Sequence, residues 1–331
     1  MIIKDFQTFL NERFAEHEIP QIQIIMRDIG LSPKQEDFTK RMLAEIYEKY
    51  AHLVLVDDDG YNQDERIPDN RRHNKTKYDE PILNFMSVSH VELEKMKAKV
   101  YNKVEDIQIA ADKIKFYKEF DQTDFVPNCV YELDDIEKIE LPIIAKPAIG
   151  ESAQGIEKFD SYEDAKKSKM KFDVWQEAKD IDREFRAFVM NNKIIHLCER
   201  VTNTKNDKSV GKKDADEKID LVYLDQDMAK FPHIDELERI KEELSEKVKL
   251  EFYNIDLMLD KNGVMWVPEL NGNPGIGPGS FTVVYKHWIE WVYDQELSEE
   301  IDKDLKEMAK AYREGMKNEH PDEYAGSLSP I

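Results

Sequence analysis

Residues 252–279 read FYNIDLMLDKNGVMWVPELNGNPGIGPG, and the fold turns on how this stretch pairs with itself. Ile255, Leu257 and Leu259 alternate as one face of a strand, Asn262-Gly263 has the pattern of a tight type I′ turn, and residues 264–271 form the returning strand. Pairing Lys261 with Val264 sets a register in which Asp256 lies directly opposite Glu269. Asn271 then follows Glu269 by two residues on the same face. Like charges facing each other across a sheet are destabilising, so a chain that keeps them there is expected to hold a cation between them. Hard oxygen donors with room for water suit Mg²⁺, with Mn²⁺ a possible substitute. An exposed hairpin with a polar wet face is the plain alternative.

The chain has 331 residues, enough for two or three domains with substantial cores. A hydrophobic fraction of 40%, with 14 Tyr, 15 Phe and 4 Trp, is that of a globular protein, although 36% of residues are charged. The net charge of -22 repels a phosphate backbone, which makes nucleic acid an unlikely partner. Two cysteines, Cys129 and Cys198, are too few for a disulfide framework and fit a reducing cytoplasm. The N-terminal residues mix acidic with apolar side chains and lack the apolar run of a signal peptide. No window approaches the ~20 apolar residues of a membrane span, so a cytoplasmic chain is expected.

Along the chain, Phe6, Phe9, Leu10 and Phe14 recur at helical spacing, and residues 21–26 are a short strand. A helix is expected from Ser32 to Tyr50, then a strand over 52–56. Residues 57–80 are almost wholly polar and read as an insertion. A strand over 82–88 and a helix from Ser89, with Glu92 completing a capping box, to about Val104 close a small α/β domain. A second helix, 107–120, carries Lys113. Residues 143–156, IIAKPAIGESAQGI, are a strand ending at Lys146 and a loop with Gly150 and Gly155 around Ser152 and Gln154. Glycines admit backbone N–H groups close to an oxyanion and a lysine adds a point charge, so this is a phosphate cradle or an ordinary glycine-containing hairpin. It is not a Walker A loop.

Next come Gln176-Glu177-Ala178 and the strand EFRAFV (184–189), whose Glu184, Arg186 and Phe188 alternate with apolar residues. After an Asn191-Asn192 turn the chain returns with Arg200. Residues 203–218 read as a polar loop, and Ile234, Leu237, Ile240, Leu244 and Val248 are the buried stripe of an amphipathic helix. Trp288, Trp291 and Val292 mark a packing helix, and Ile301, Leu305, Met308 and Tyr312 a last amphipathic one, which covers its own domain or mediates a homo-oligomer.

The order of a helix lysine, a strand ending Lys-Pro with a glycine loop, a Gln-Glu hinge, EFRAFV and DLML followed by ELNGNPG resembles the ATP-grasp superfamily. The nearest resemblance is to glutathione synthetases and to ligases that add glutamate to protein or peptide termini, and it covers residues 107–290. It implies an α+β fold in which two subdomains grip ATP, preceded by the small α/β domain. The boundaries expected are 1–106, 107–293 and a C-terminal helix and tail over 294–331. It further implies that Lys113 and Lys146 reach the ATP phosphates, that the loop of Gly150, Ser152, Gln154 and Gly155 closes over them, and that Gln176, Glu177 and Ala178 meet adenine. Glu184 would lie at the ribose, and Asp256, Glu269 and Asn271 would hold Mg²⁺. Arg186 and Arg200 would steady the phosphoryl group, with Lys146 beside them in catalysis. Ala153, where glycine is common, and Glu184, where aspartate is common, depart from the pattern. The implied activity is ADP-forming ligation of a carboxylate to an amine of a small molecule, peptide or protein terminus. A kinase acting on a hydroxyl, or a nucleotide-binding module without turnover, are the alternatives. His196, His233 and His287 read as structural or surface residues, not catalytic ones, because none has a placed partner in the sequence.

Overall fold

The computed structural model describes residues 22–27, 38–57, 60–61, 81–84, 99–149, 155–202, 219–223, 225–272, 274 and 276–319. The helix of Phe6 to Phe14, the caps at Ser32 and Ser89, Gly150, Ser152, Gln154, the 203–218 loop and nearly all of the 57–80 insertion lie outside them. The chain divides into two compact units, one of described residues up to Tyr101 with residues 276–319, the other Asn102–Pro274.

In the first unit, β1 (Ile22–Arg27), α1 (Phe38–Tyr50), β2 (Ala51–Asp57), β3 (Gly60–Tyr61), β4 (Ile82–Asn84) and β5 (Val100–Tyr101) build a five-stranded sheet in the order β3-β2-β1-β4-β5. Strands β2, β1, β4 and β5 are parallel neighbours. All three residues of β4 are buried, as expected of a parallel strand covered on both faces. The helix expected to run through Val104 is corrected at its end, because residues 100–101 are the strand β5.

The second unit opens with α2 (Val104–Ala111) and α3 (Lys113–Glu119). A single helix was expected here. Asp112 interrupts it in an extended conformation, and its carboxylate accepts from the N–H groups of Ile114 and Lys115 at 3.0 and 3.2 Å. Aspartate is a poor interior helix residue and a good N-cap, so the break places Lys113 at the start of a new helix. A four-stranded antiparallel sheet follows, built from β6 (Cys129–Val130), β7 (Ile143–Lys146), β8 (Glu157–Phe159) and β9 (Val174–Glu177) in the order β6-β9-β7-β8, with α4 (Tyr162–Lys167) between β8 and β9.

A five-stranded antiparallel sheet completes the unit: β10 (Ile181–Met190), β11 (Lys193–Thr202), β12 (Ile219–Tyr223), β13 (Phe252–Asp260) and β14 (Met265–Asn271), ordered β12-β11-β10-β13-β14. Asn191 and Asn192 both have positive φ, 49° and 58°, as the expected β10–β11 turn requires. One face of this sheet is apolar. Phe185, Ala187, Ile255, Leu257 and Val267 join Leu237, Ile240 and Leu244 of α5 (Ile234–Lys247) and Phe116 of α3 in one core. Period-2 strands therefore leave their alternate residues as a polar floor on the opposite face.

The hairpin joining β13 to β14 differs from the tight turn expected. Asp260 N–H donates to Val264 O at 3.0 Å and Gly263 N–H to Asp260 O at 2.9 Å, so Lys261, Asn262 and Gly263 form a three-residue loop with positive φ (83°) at Gly263. The Asp260 carboxylate selects this loop by accepting from the N–H groups of Asn262 and Val264 at 2.8 and 2.9 Å. The loop shifts the pairing by one residue, to Leu259 opposite Met265 and Met258 opposite Trp266. A bulge then shifts it back, because Val267 and Pro268 together face Leu257, and Asp256 stands opposite Glu269 as expected. Val267 N–H donates to Phe125 O at 2.8 Å instead of to β13, and Pro268 has no N–H to lose.

The C-terminal helices α6 (Pro278–Val292) and α7 (Glu299–Glu319) belong to the first unit. Tyr285 of α6 packs on Tyr50 with ring centroids 4.9 Å apart, and Asp304 of α7 accepts from Lys49 Nζ at 2.7 Å and from the Tyr50 hydroxyl. Among the described residues no helix is long and apolar enough to cross a membrane.

Gly263→Ala should cost about 1 kcal/mol of stability, seen as a lower urea midpoint. The cost is that of the backbone alone, since an added Cβ would meet nothing nearer than His233 Cε1 at 4.0 Å. An unchanged midpoint would contradict the left-handed conformation.

Candidate active site

Residues directly opposite in neighbouring strands share a face, so the register aligns Arg186, Asp256 and Glu269 in one row across β10, β13 and β14. Glu184 opposes Arg200 on β11, and Asn254 opposes Asn271. These residues are the polar floor.

Arg186 grips Asp256 with two donors, Nε to Oδ1 at 2.8 Å and Nη2 to Oδ2 at 3.1 Å. Asn254 Nδ2 adds a bond to Oδ1 at 2.8 Å, and Arg200 Nη1 stands 3.8 Å from Oδ2 and 3.7 Å from Glu184. Burial opposes ionisation of Asp256, but the two guanidinium groups more than offset it and hold the carboxyl below the usual range. Glu269 is less well served. Burial, together with the Asp256 charge opposite, pushes its carboxyl up against the pull of Lys113, whose Nζ is 3.5 Å away, and Lys146.

The second group of residues comes from α3 and the four-stranded sheet. Lys113 and Lys146 are both buried, 6% and 5% exposed, which is rare for lysine and places two ammonium groups beside the carboxylate pair. Lys113 N–H donates to Ala148 O at 2.9 Å, fixing the start of the loop after β7. Lys146 Nζ donates to the Tyr117 hydroxyl, whose oxygen also lies 2.9 Å from Gln176 Oε1 and within bonding distance of Pro268 O. Burial first, then the Lys113 charge, lowers the Lys146 pKa well below that of a free lysine.

At the hinge the side chain of Gln176 turns inward to Tyr117. Glu177 is held by Lys179 Nζ at 2.7 Å and Asn128 Nδ2 at 2.9 Å. The N–H groups of Glu177 and Ala178 donate to Asn128 O and Pro142 O at 3.0 and 2.8 Å, so these two amides are already engaged within the protein. Gly155, with φ 73°, is the described residue of the glycine loop.

The floor suits a hard divalent cation. No three His, Cys, Asp or Glu side chains gather among the described residues, and the third donor of this set is the Asn271 amide. Asp256 Oδ2 accepts from Arg186 at 3.1 Å, while Asn271 Nδ2 and Arg200 reach it only at 3.5 and 3.8 Å, so its second lone pair is weakly engaged. Asn254 Oδ1, fully buried, has no hydrogen-bond partner among the described residues, although its Nδ2 is the side that meets Asp256. Sequence reading overlooked Asn254 and Tyr117. Each was nonetheless signalled by spacing: Asn254 is two residues from Asp256 on one strand face, and Tyr117 is one helical turn from Lys113.

No protein-family model and no curated protein matches the sequence. Among solved structures, the chain is similar to N5-carboxyaminoimidazole synthetase from Staphylococcus aureus complexed with ADP, with a TM-score of 0.58 at 14% identity over 85% of this chain and 80% of that one. A D-alanine–D-alanine ligase from Bacillus anthracis complexed with ATP gives 0.52 at 15% identity over 90% of this chain and 100% of that one. The chain has the ATP-grasp fold. A D-Ala:D-Ser ligase from Enterococcus faecalis adds a TM-score of 0.58 at 13% identity, over 88% of this chain and 99% of that one. At 85–90% of this chain, the likeness takes in parts of both units, and it is a likeness of fold.

Arg186→Ala should leave the part-buried Asp256 with only Asn254 and the more distant Arg200, and cost roughly 3 kcal/mol in a denaturant titration. Because the folded-state pKa of Asp256 is depressed, its stabilisation is present in full above the ordinary value of 3.8 and is lost as pH falls through the lower folded value. The stability gap between wild type and Asp256→Asn should accordingly shrink on acidification through this window.

Proposed function

We propose that this protein is an ATP-dependent ligase that joins a carboxylate to an amine through an acyl phosphate, releasing ADP and phosphate. The observation that carries the reading is the meeting of two buried lysines with a directly opposed carboxylate pair on the floor of an ATP-grasp fold. Lys113 and Lys146 bind the ATP phosphates, with the loop of Gly150, Ser152, Gln154 and Gly155 over them. Gln176, with the carbonyl side of Glu177 and Ala178, borders the adenine, and Glu184 lies toward the ribose.

Asp256, Glu269 and Asn271 would hold Mg²⁺ or Mn²⁺, which would supply charge neutralisation to the phosphates. The substrate carboxylate attacks the γ-phosphorus, and the lysines stabilise the charge spread over its equatorial oxygens. Arg186 and Arg200, already oriented by Asp256 and Glu184, steady the transferred group. The amine then displaces phosphate from the acyl carbon. Cys129 and Cys198, which are not joined in a disulfide, accord with a cytoplasmic setting.

The test is ADP release with Mg²⁺-ATP across a panel of amino acids, short peptides and polyamines. Turnover should require both an acid and an amine, and should fall at least ~100-fold in Lys146→Ala and in Glu269→Ala. ADP formed with a phosphorylated alcohol and no amine would replace the ligase by a kinase. Binding of Mg²⁺-ATP without turnover of any acceptor would favour a binding module.

A further inference from the structure

We propose that Tyr117 is the positioning residue of the phosphate site, fixing the Lys146 ammonium and, through the Pro268 carbonyl, the strand that carries Glu269. This rests on the nucleotide reading above.

Tyr117 lies on α3, one turn beyond Lys113, and is fully buried. Its helix uses phenylalanine at 116 and again at its C-cap, 120, where packing alone is needed, and both belong to the same core as Tyr117. A phenylalanine at 117 would fill almost the same volume, so the hydroxyl adds its polar contacts. Those contacts join three strands: Lys146 of β7, Gln176 of β9 and Pro268 of β14. Lys146 also lies over the Tyr117 ring, with Nζ 4.7 Å from the centroid.

The donor arithmetic is specific. The phenol oxygen accepts from Lys146, so its single proton serves one acceptor, and Pro268 O at 2.5 Å is nearer than Gln176 Oε1 at 2.9 Å. An ammonium has three donors, and among the described residues Tyr117 Oη is the hydrogen-bond acceptor for Lys146, leaving two N–H groups for a phosphate. A lysine tethered in this way loses less freedom when the phosphate arrives than one that must first be immobilised. Pro268 O sits within the bulge that returns Glu269 to its place opposite Asp256, so one hydroxyl spans the lysine and carboxylate halves of the site.

The experiment is calorimetric titration of wild type, Tyr117→Phe, Lys146→Ala and the double variant with Mg²⁺-ATP and, separately, with adenosine. Tyr117→Phe should weaken ATP by about three- to tenfold, the immobilisation of one long side chain. It should leave adenosine affinity unchanged and add nothing in the Lys146→Ala background. Equal loss of ATP and adenosine would overturn the inference, since Tyr117 would then support the fold and not the lysine. Additive losses in the double variant would overturn it too, as would full ATP affinity in Tyr117→Phe while Lys146→Ala is weakened. Absence of ATP binding to the wild type would instead remove the nucleotide reading, and this inference with it.

Discussion

The opposition of Asp256 and Glu269 across β13 and β14 is the constraint on which the rest of the site depends. Two carboxylates at directly facing positions repel, and in a partly buried setting the repulsion is poorly screened. The protein relieves it unequally. Asp256 receives a bidentate guanidinium and an amide, whereas Glu269 has one lysine at 3.5 Å. The result is one firmly ionised carboxylate beside one whose ionisation is resisted, an arrangement that a bound divalent cation would complete. A pair satisfied on both sides would be a structural ion pair with nothing left to offer.

Keeping that opposition takes two compensating irregularities. The Asp260-capped loop moves the register by one residue, and the bulge at Val267 and Pro268 moves it back. A one-residue slip turns every side chain of a strand to the other face. Without the bulge, Glu269 would leave the polar floor and enter the apolar core. Pro268 makes the bulge inexpensive because it has no N–H to leave unpaired, and its carbonyl is taken up by Tyr117.

The lysine side of the site follows a similar logic. Lys113 and Lys146 are buried near each other, which disfavours the charge on Lys146, yet Glu269 engages the first and Tyr117 the second. The break at Asp112 is part of this. A continuous helix through residue 112 would carry Lys113 on a different course from the one α3 gives it.

Much was legible from sequence because it depends on local properties. Period-2 alternation in 184–189 and 252–260 separated the core face from the floor, the 234–248 stripe marked α5, and Asp256, Glu269 and Asn271 fell on one face by counting. The order of the motifs pointed to the ATP-grasp fold. Only the tertiary structure decided the loop and bulge that preserve the register, the engagement of the Glu177 and Ala178 amides, the Arg186 grip on Asp256 and the bridge at Tyr117. Each of these joins residues far apart in the chain, and the strength of a hydrogen bond or ion pair depends on final separation and burial, which the spacing of residues along the chain does not contain.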